Sequence, residues 1–478
     1  MKRSSGVLMH VSSLYNDYSI GSFGKACYDF IDFLAENDFS YWQVLPFNIP
    51  DEYNSPYKSY SAFSGNPYFI DLEILNKKGL ITNEELLSTK QNTPYLCEFE
   101  RLKTQRIDLL KKASKRCKYF DKVDEFYLTH TQTYEFCKFM ALKEANAMKP
   151  WTEWTVFNED VEVLNAWKFI EYEFYIEWQE VKKYANDNGI KIIGDVPIYV
   201  DFDSADVWSN PSNFMLDKNY KPKMVAGVPP DYFSEDGQVW GNPLYNYAQM
   251  KKDGFSWWKK RIEFMCELFD GVRIDHFRGF ESYFCVPYGA KTAKQGVWKK
   301  GPNLALVNAI KSVSKNKLII AEDLGVITDE VRRLVEKSGF PGMRVMQFGM
   351  LGDNNSTHLP HNYINNCVAY TGTHDNNTLL GYVWELDEGA RNNLLQYFDY
   401  HGDWNNCYDA ILSAMLRSSA GLVIFPIQDL LKYGADTRLN TPGLADKNWA
   451  YRLTESQFKS IDGKKFKLWN NIYGRKQL

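Results

Sequence analysis

The segment Gly271-Val272-Arg273-Ile274-Asp275-His276-Phe277-Arg278-Gly279 places a short apolar run immediately before a cluster of ionisable side chains. A run of this length, ending abruptly in polar residues, reads as a β-strand buried on both faces. Seven other stretches share the pattern: residues 6–11, 41–46, 191–195, 318–323, 343–348, 368–371 and 422–426. Helical patterns precede several of them, at 27–35, 255–269 and 328–337. Eight buried strands alternating with helices predict an α/β fold, a (β/α)8 TIM barrel, whose active site lies at the carboxyl ends of the strands. A doubly wound open sheet is the competing fold, but no Gly-rich turn follows the first strand to support it.

At 478 residues the chain could hold about three average domains or one barrel with insertions. It shows no linker, low-complexity tract or internal repeat, so a single catalytic domain over 1–478 is expected. Two connections exceed a plain βα unit. The first, at about 48–160, reads as a mostly helical insertion. The second, 201–252, is rich in Pro, Asn, Asp, Gly and aromatics and reads as a long functional loop or lid.

Lys and Arg number 56 against 60 Asp and Glu, a formal net charge of -4, which gives no pull towards nucleic acid or anionic lipid. No apolar run is long enough to span a bilayer, and mean hydropathy is -0.44, so no membrane contact is expected. The basic pair in Met1-Lys2-Arg3-Ser4-Ser5 has no apolar stretch behind it, so no secretory leader is expected and the reading is cytoplasmic. Eight scattered cysteines, none in a C-x-x-C pair, fit buried free thiols better than a disulfide framework. Aromatic residues reach 16%; most must be core, and the surplus allows a ring-lined groove suited to sugar faces.

Three carboxylates follow three different strands. Asp275 ends the fourth, Glu322 ends the fifth in Ile320-Ala321-Glu322-Asp323-Leu324-Gly325, and Asp375 follows the seventh in Thr371-Gly372-Thr373-His374-Asp375-Asn376-Asn377. A barrel directs all three into one pocket, and a carboxylate pair is what glycoside chemistry requires. A single Asp after a strand more often caps a helix or forms a turn, and Asp323 is read that way. Glu is a poor capping type, which strengthens the claim of Glu322 to chemistry. Arg273, two residues before Asp275, faces the same side of the strand and is expected to keep that carboxylate ionised. A buried structural ion pair is the plainer account of Arg273. The same acids, with His276 and His374, could also ligate a divalent ion, against which the adjacent guanidinium speaks.

Other blocks complete the series. Trp42-Gln43-Val44-Leu45-Pro46 is followed by Ser55-Pro56-Tyr57-Lys58-Ser59-Tyr60-Ser61-Ala62-Phe63-Ser64-Gly65-Asn66-Pro67. Next comes Gly227-Val228-Pro229-Pro230-Asp231-Tyr232-Phe233-Ser234-Glu235-Asp236-Gly237-Gln238-Val239-Trp240-Gly241-Asn242-Pro243. Arg438-Leu439-Asn440-Thr441-Pro442-Gly443 and Asn448-Trp449 close it. In this order, and over most of the chain, the blocks resemble those of the glycoside hydrolase family 77 enzymes, the 4-α-glucanotransferases known as amylomaltases or disproportionating enzymes.

The resemblance implies an α-amylase-clan barrel with Asp275 as nucleophile, Glu322 as general acid/base and Asp375 as transition-state stabiliser. It implies that Arg273, His276, His374 and Asp195 hold the nucleophile and the sugar at the cleavage site. Asp231, Gln238 and Trp240 match the family's lid over the acceptor side, and Ser55 and Tyr57 are read as substrate contacts, Tyr57 by stacking on a glucose face. For Tyr232, Phe233 and Trp240, packing of the loop onto the barrel is the alternative. The expected substrates are maltooligosaccharides and α-1,4-glucans, the expected outcome is transfer with retention, and no cofactor or metal is implied. An α-glucan hydrolase on the same site, or a catalytically silent glycan-binding protein, are the competing functions. The block Asp195-Val196-Pro197-Ile198-Tyr199-Val200 lacks the Asn-His of typical α-amylases, which favours the transferase.

Overall fold

The structure, a computed structural model, describes residues 1–230, 235–444 and 446–476. Eight parallel strands close into a barrel with helices around it, as the strand–helix alternation predicts. In chain order they are β1 (Ser4–Leu8), β2 (Tyr41–Gln43), β3 (Lys191–Val196), β4 (Gly271–Ile274), β5 (Leu318–Ala321), β6 (Gly342–Val345), β7 (Cys367–Tyr370) and β8 (Leu422–Pro426). Each pairs with its predecessor, and β1 pairs with β8 to seal the barrel, Ser4 opposite Leu422 and Leu8 opposite Pro426. Strand limits differ from the expected runs by a few residues. β1 starts at Ser4, and Met346–Gly349 is a helical turn where strand was expected.

The strands are buried on both faces because inward side chains fill the lumen and outward ones meet helices. Near the carboxyl ends the inward residues turn polar. β3 and β4 pair with Asp195 opposite Arg273, so these two side chains leave neighbouring strands on the same face. Tyr370 on β7 reaches to β2 and donates its hydroxyl to Gln43 Oε1 at 2.9 Å.

The insertion before β3 is helical, as expected: Leu72–Lys77, Asn83–Ser88, Phe99–Ser114, Phe120–Phe126 and Thr131–Ala145 precede the long helix Val161–Asp187. Asp160 caps that helix by accepting from the N–H groups of Glu162 and Val163, which have no partner within the helix. The helix buries Trp178, whose indole donates to Leu268 O at 2.9 Å. Around it Phe23, Phe47, Phe69, Phe174 and Phe269 pack ring against ring, so much of the aromatic surplus is core.

The stretch 201–252 departs from the expected irregular loop. Met224–Val228 and Gln238–Pro243 are strands of an antiparallel sheet, completed by Ser282–Pro287 and Val297–Lys300 from an excursion after β4. Val225, Phe284, Val286 and Ala293 form its own small core. Short strands interrupted by Gly and Pro have weak periodicity, and the strands that complete the sheet lie well along the chain, so the local pattern reads as loop. Among the described residues no helix is long and apolar enough to cross a membrane. The eight cysteines are free thiols, seven of them buried.

Candidate active site

A cleft of about 540 Å³ opens beyond the carboxyl ends of the strands. Its walls come from loop residues 51–58, from Gln238, Trp240 and Asn242 of the antiparallel sheet, and from 440–444 with Asn448 and Trp449. Asp275, His374 and Asp375 line it.

Asp275, Arg273, Asp195, Tyr57, His374 and Asp375 form one continuous polar chain. Arg273 donates from Nη2 to Asp275 Oδ1 at 2.9 Å and from Nη1 to both oxygens of buried Asp195, at 2.6 and 2.8 Å. The Tyr57 hydroxyl donates to Asp195 Oδ2 at 2.7 Å and lies 2.9 Å from His374 Nε2. The phenol has one proton and gives it to the carboxylate, so His374 donates from Nε2, which also lies 3.3 Å from Asp375 Oδ2.

Glu322 is only 8% exposed and is held by backbone donors. Its Oε2 accepts from His276 N at 2.6 Å, and its Oε1 from Leu324 N at 2.8 Å. Its own N–H donates to Ile274 O at 3.1 Å, at the end of β4, so the β5 carboxyl is carried against the loop that carries Asp275.

The electrostatics separate the two acids. Burial and then the Asp275 charge raise the Glu322 carboxyl far above the usual range, while Arg273 and the two backbone N–H groups pull it back. Asp275 is also raised, chiefly by burial and with help from Asp195 and Asp375. Arg273 lowers it, as its position on the strand implies, but does not outweigh those effects. Asp275 keeps 28% of its side-chain surface open to the cleft and remains the stronger acid of the pair. A proton shared between them therefore rests on Glu322. Burial also pushes His276 down to about 3, with a contribution from Arg278, and lowers His374, so both rings are neutral donors and acceptors at neutral pH.

The other expected contacts fall on the same cleft, with different partners. Trp240 donates to Gln238 Oε1 at 3.1 Å and meets His276 edge-on at 4.9 Å, so it packs and lines the cleft at once. Ser55 Oγ accepts from Tyr57 N at 3.3 Å. The Tyr57 ring lies against His374, with centroids 5.3 Å apart and planes at 17°. Asp231, Tyr232 and Phe233 lie outside the described residues. Asp323 has a structural role, though not as a helix cap: it accepts from Met343 N at 2.7 Å and pairs with Arg344 at 3.0 Å. Gly342 permits this approach, since a Cβ there would come within 2.6 Å of the Asp323 carboxylate.

Sequence reasoning assigned no role to Asn440, Arg438 or His10. Asn440 Nδ2 donates to Asp375 Oδ1 at 2.6 Å, and Arg438 donates to the Asp375 carbonyl. The block containing them was visible, but nothing local ties it to Asp375. His10 accepts from Leu45 N at 3.3 Å beneath the cleft and is pushed down to about 3 by burial and by His374. Among the described residues no group of three or more His, Cys, Asp or Glu is placed to hold a metal ion.

The family model described as 4-alpha-glucanotransferase, glycoside hydrolase family 77, matches residues 9–457. The chain belongs to this family. The 4-alpha-glucanotransferase of Clostridium butyricum is 41% identical over 98% of this chain and 100% of its own length. That of Streptococcus pneumoniae is 42% identical over 95% of this chain and 94% of its own. Among solved structures, an amylomaltase from Streptococcus agalactiae in complex with acarbose matches with a TM-score of 0.96 at 36% identity, covering 100% of both chains. Membership of the 4-alpha-glucanotransferase family gives the enzyme class and the activity of this chain, glucan transfer on a (β/α)8 barrel.

Proposed function

We propose that this 4-alpha-glucanotransferase moves α-1,4-glucan segments between maltooligosaccharides by a retaining double displacement, with Asp275 as nucleophile and Glu322 as general acid and base. The observation that carries the reading is the asymmetric carboxyl pair: Glu322 buried and cradled by two N–H groups, its carboxyl raised by burial and by the Asp275 charge, and Asp275 open to the cleft and paired to Arg273. Arg273 binds Asp275 through Oδ1, and among the described residues Oδ2 accepts no hydrogen bond, which leaves that oxygen for attack.

In the first half-reaction Glu322 gives its proton to the leaving glycosidic oxygen as Asp275 attacks the anomeric carbon, forming a β-glycosyl-enzyme. Asp375, seated by Asn440, accepts from hydroxyls of the sugar at the cleavage point and favours its distorted, oxocarbenium-like form. In the second half Glu322, now ionised, takes the proton from the 4-hydroxyl of an acceptor glucan, which displaces Asp275. The wall formed by Gln238 and Trp240 suits a sugar acceptor over bulk water. That a similar amylomaltase binds acarbose supports a saccharide in this cleft. Eight free thiols fit a reducing, cytoplasmic setting.

Incubation with maltotriose tests the reading. Glucose together with a ladder of longer maltodextrins, at constant total reducing ends, is the expected result. Rising reducing ends without a ladder would make hydrolysis the activity, and saccharide binding without any product would leave only a glycan-binding protein.

A further inference from the structure

The geometry points to Arg278 as a positioning residue for Glu322, an inference that rests on Glu322 being the general acid. The loops leaving β4 and β5 run side by side and are joined at the strand ends by two backbone bonds, Glu322 N to Ile274 O at 3.1 Å and Phe277 N to Glu322 O at 3.0 Å. The Glu322 carboxyl adds a further bridge, accepting from His276 N on one loop and from Leu324 N on the other. Two residues further along each loop, Arg278 Nη1 donates to Val326 O at 2.6 Å. This outer rung closes a ring that fixes the spacing of the two N–H groups cradling the carboxyl.

The ring needs that rung because both loops turn through left-handed backbone, at His276 (φ 49°) and Gly325 (φ 85°). Only Gly325, the most permissive residue type, separates Leu324 from Val326. Without the Val326 bond, the Leu324 N–H would be the least constrained part of the cradle.

The guanidinium is in turn held by the antiparallel sheet. It lies over the Trp298 indole, 4.0 Å from the ring centroid, and Trp298 packs on Phe284 at 5.1 Å. Among the described residues no carboxylate bonds it; the neighbouring Glu281 pairs with Lys300 instead, at 2.7 Å. Its contact with Ser282 Oγ is long, at 3.5 Å, and its buried Nε donates to nothing among the described residues. Among the described residues the Val326 carbonyl is the one short polar contact this side chain makes, so the stack and that bond set its position.

A donor that needs no general acid separates positioning from general damage. With α-maltosyl fluoride, Asp275 attacks C1 and fluoride departs with the bonding pair, so no proton is required. Arg278→Ala is expected to lower kcat for transfer from maltotriose by about 10²-fold, the scale of a misplaced general acid, with KM little changed. The first-turnover burst of fluoride should stay close to the unmodified enzyme's. Trp298→Ala, which removes a ring already 42% exposed, should show the same selective loss to a smaller extent. Unchanged transfer in Arg278→Ala, or a burst that falls in step with transfer in both variants, would overturn the inference. Glu322→Gln is the reference. If its burst is lost together with transfer, the general-acid reading itself fails; if its burst survives while that of Arg278→Ala does not, only the clamp fails.

Discussion

Asp275 opens to the cleft and Glu322 is buried, and their nearest neighbours set them further apart. A guanidinium holds the first, and two backbone N–H groups hold the second. The Asp275 charge is the second largest cause, after burial, of the raised Glu322 carboxyl. Asp275→Asn removes that charge, so Glu322 should titrate at lower pH in the variant, which ¹³C-carboxyl NMR reads directly. Turnover should fall by about 10³-fold or more, as for loss of a nucleophile, while saccharide binding measured by calorimetry persists. Unaltered turnover, or a Glu322 titration that does not move, would refute the pairing. The residue types and their places at strand ends were legible in the sequence. The partners were not: Tyr57 meets Asp195 from 138 residues away, and Asn440 meets Asp375 from 65.

The helix Val161–Asp187 shows how an element of the insertion serves the cleft. Glu171 Oε2 accepts from Gly65 N and Glu177 Oε2 from Asp71 N, each at 2.8 Å, clamping the backbone just beyond the segment that carries Ser55 and Tyr57. Burial pushes the Glu171 carboxyl from its ordinary 4.5 up to about 8. The folded state therefore binds a proton more tightly than the unfolded chain. The stability this contributes is complete below the unfolded value and is lost as pH rises through about 8. Glu171→Gln keeps an acceptor for Gly65 and cannot ionise. Its melting temperature relative to the unmodified protein should therefore rise between pH 6 and pH 9, by about 2 °C. Calorimetric scans across that range check it, and a difference independent of pH would reject it. The sequence showed this helix because one element carries its own period. It did not show the antiparallel sheet, whose two strands in this stretch pair with each other across Gly and Pro and are completed by 282–287 and 297–300, outside the stretch read as a loop.

At the scale of the molecule, the barrel closes where β1 meets β8, and Arg475 secures the closure from the far end of the chain. Its fully buried guanidinium donates to Ser4 O at 2.9 Å, Ala420 O at 3.1 Å, Leu416 O at 2.6 Å and Ser418 O at 3.1 Å, with no carboxylate among these partners. Arg475→Ala would strand buried carbonyls on both sides of the seam. Urea unfolding should show a loss of about 3 kcal/mol or more. Turnover per folded molecule should be unchanged, because the substitution lies at the end of the barrel opposite the cleft. A loss below 1 kcal/mol would mean that water replaces the guanidinium at little cost.

The barrel, the helical insertion and the strand-end places of the three carboxylates are legible in local pattern alone. Strand length, helical period and residue type are encoded within about a dozen neighbouring positions, where periodicity is set. Which carboxyl is buried, which bonds to Arg273, how the antiparallel sheet walls the cleft and how Arg278 meets the Glu322 loop follow from long-range contacts. Burial and hydrogen-bond partners belong to the whole fold. They are fixed by where distant segments come to rest, and a shifted carboxyl is the sum of those contacts rather than a property of its own place in the chain.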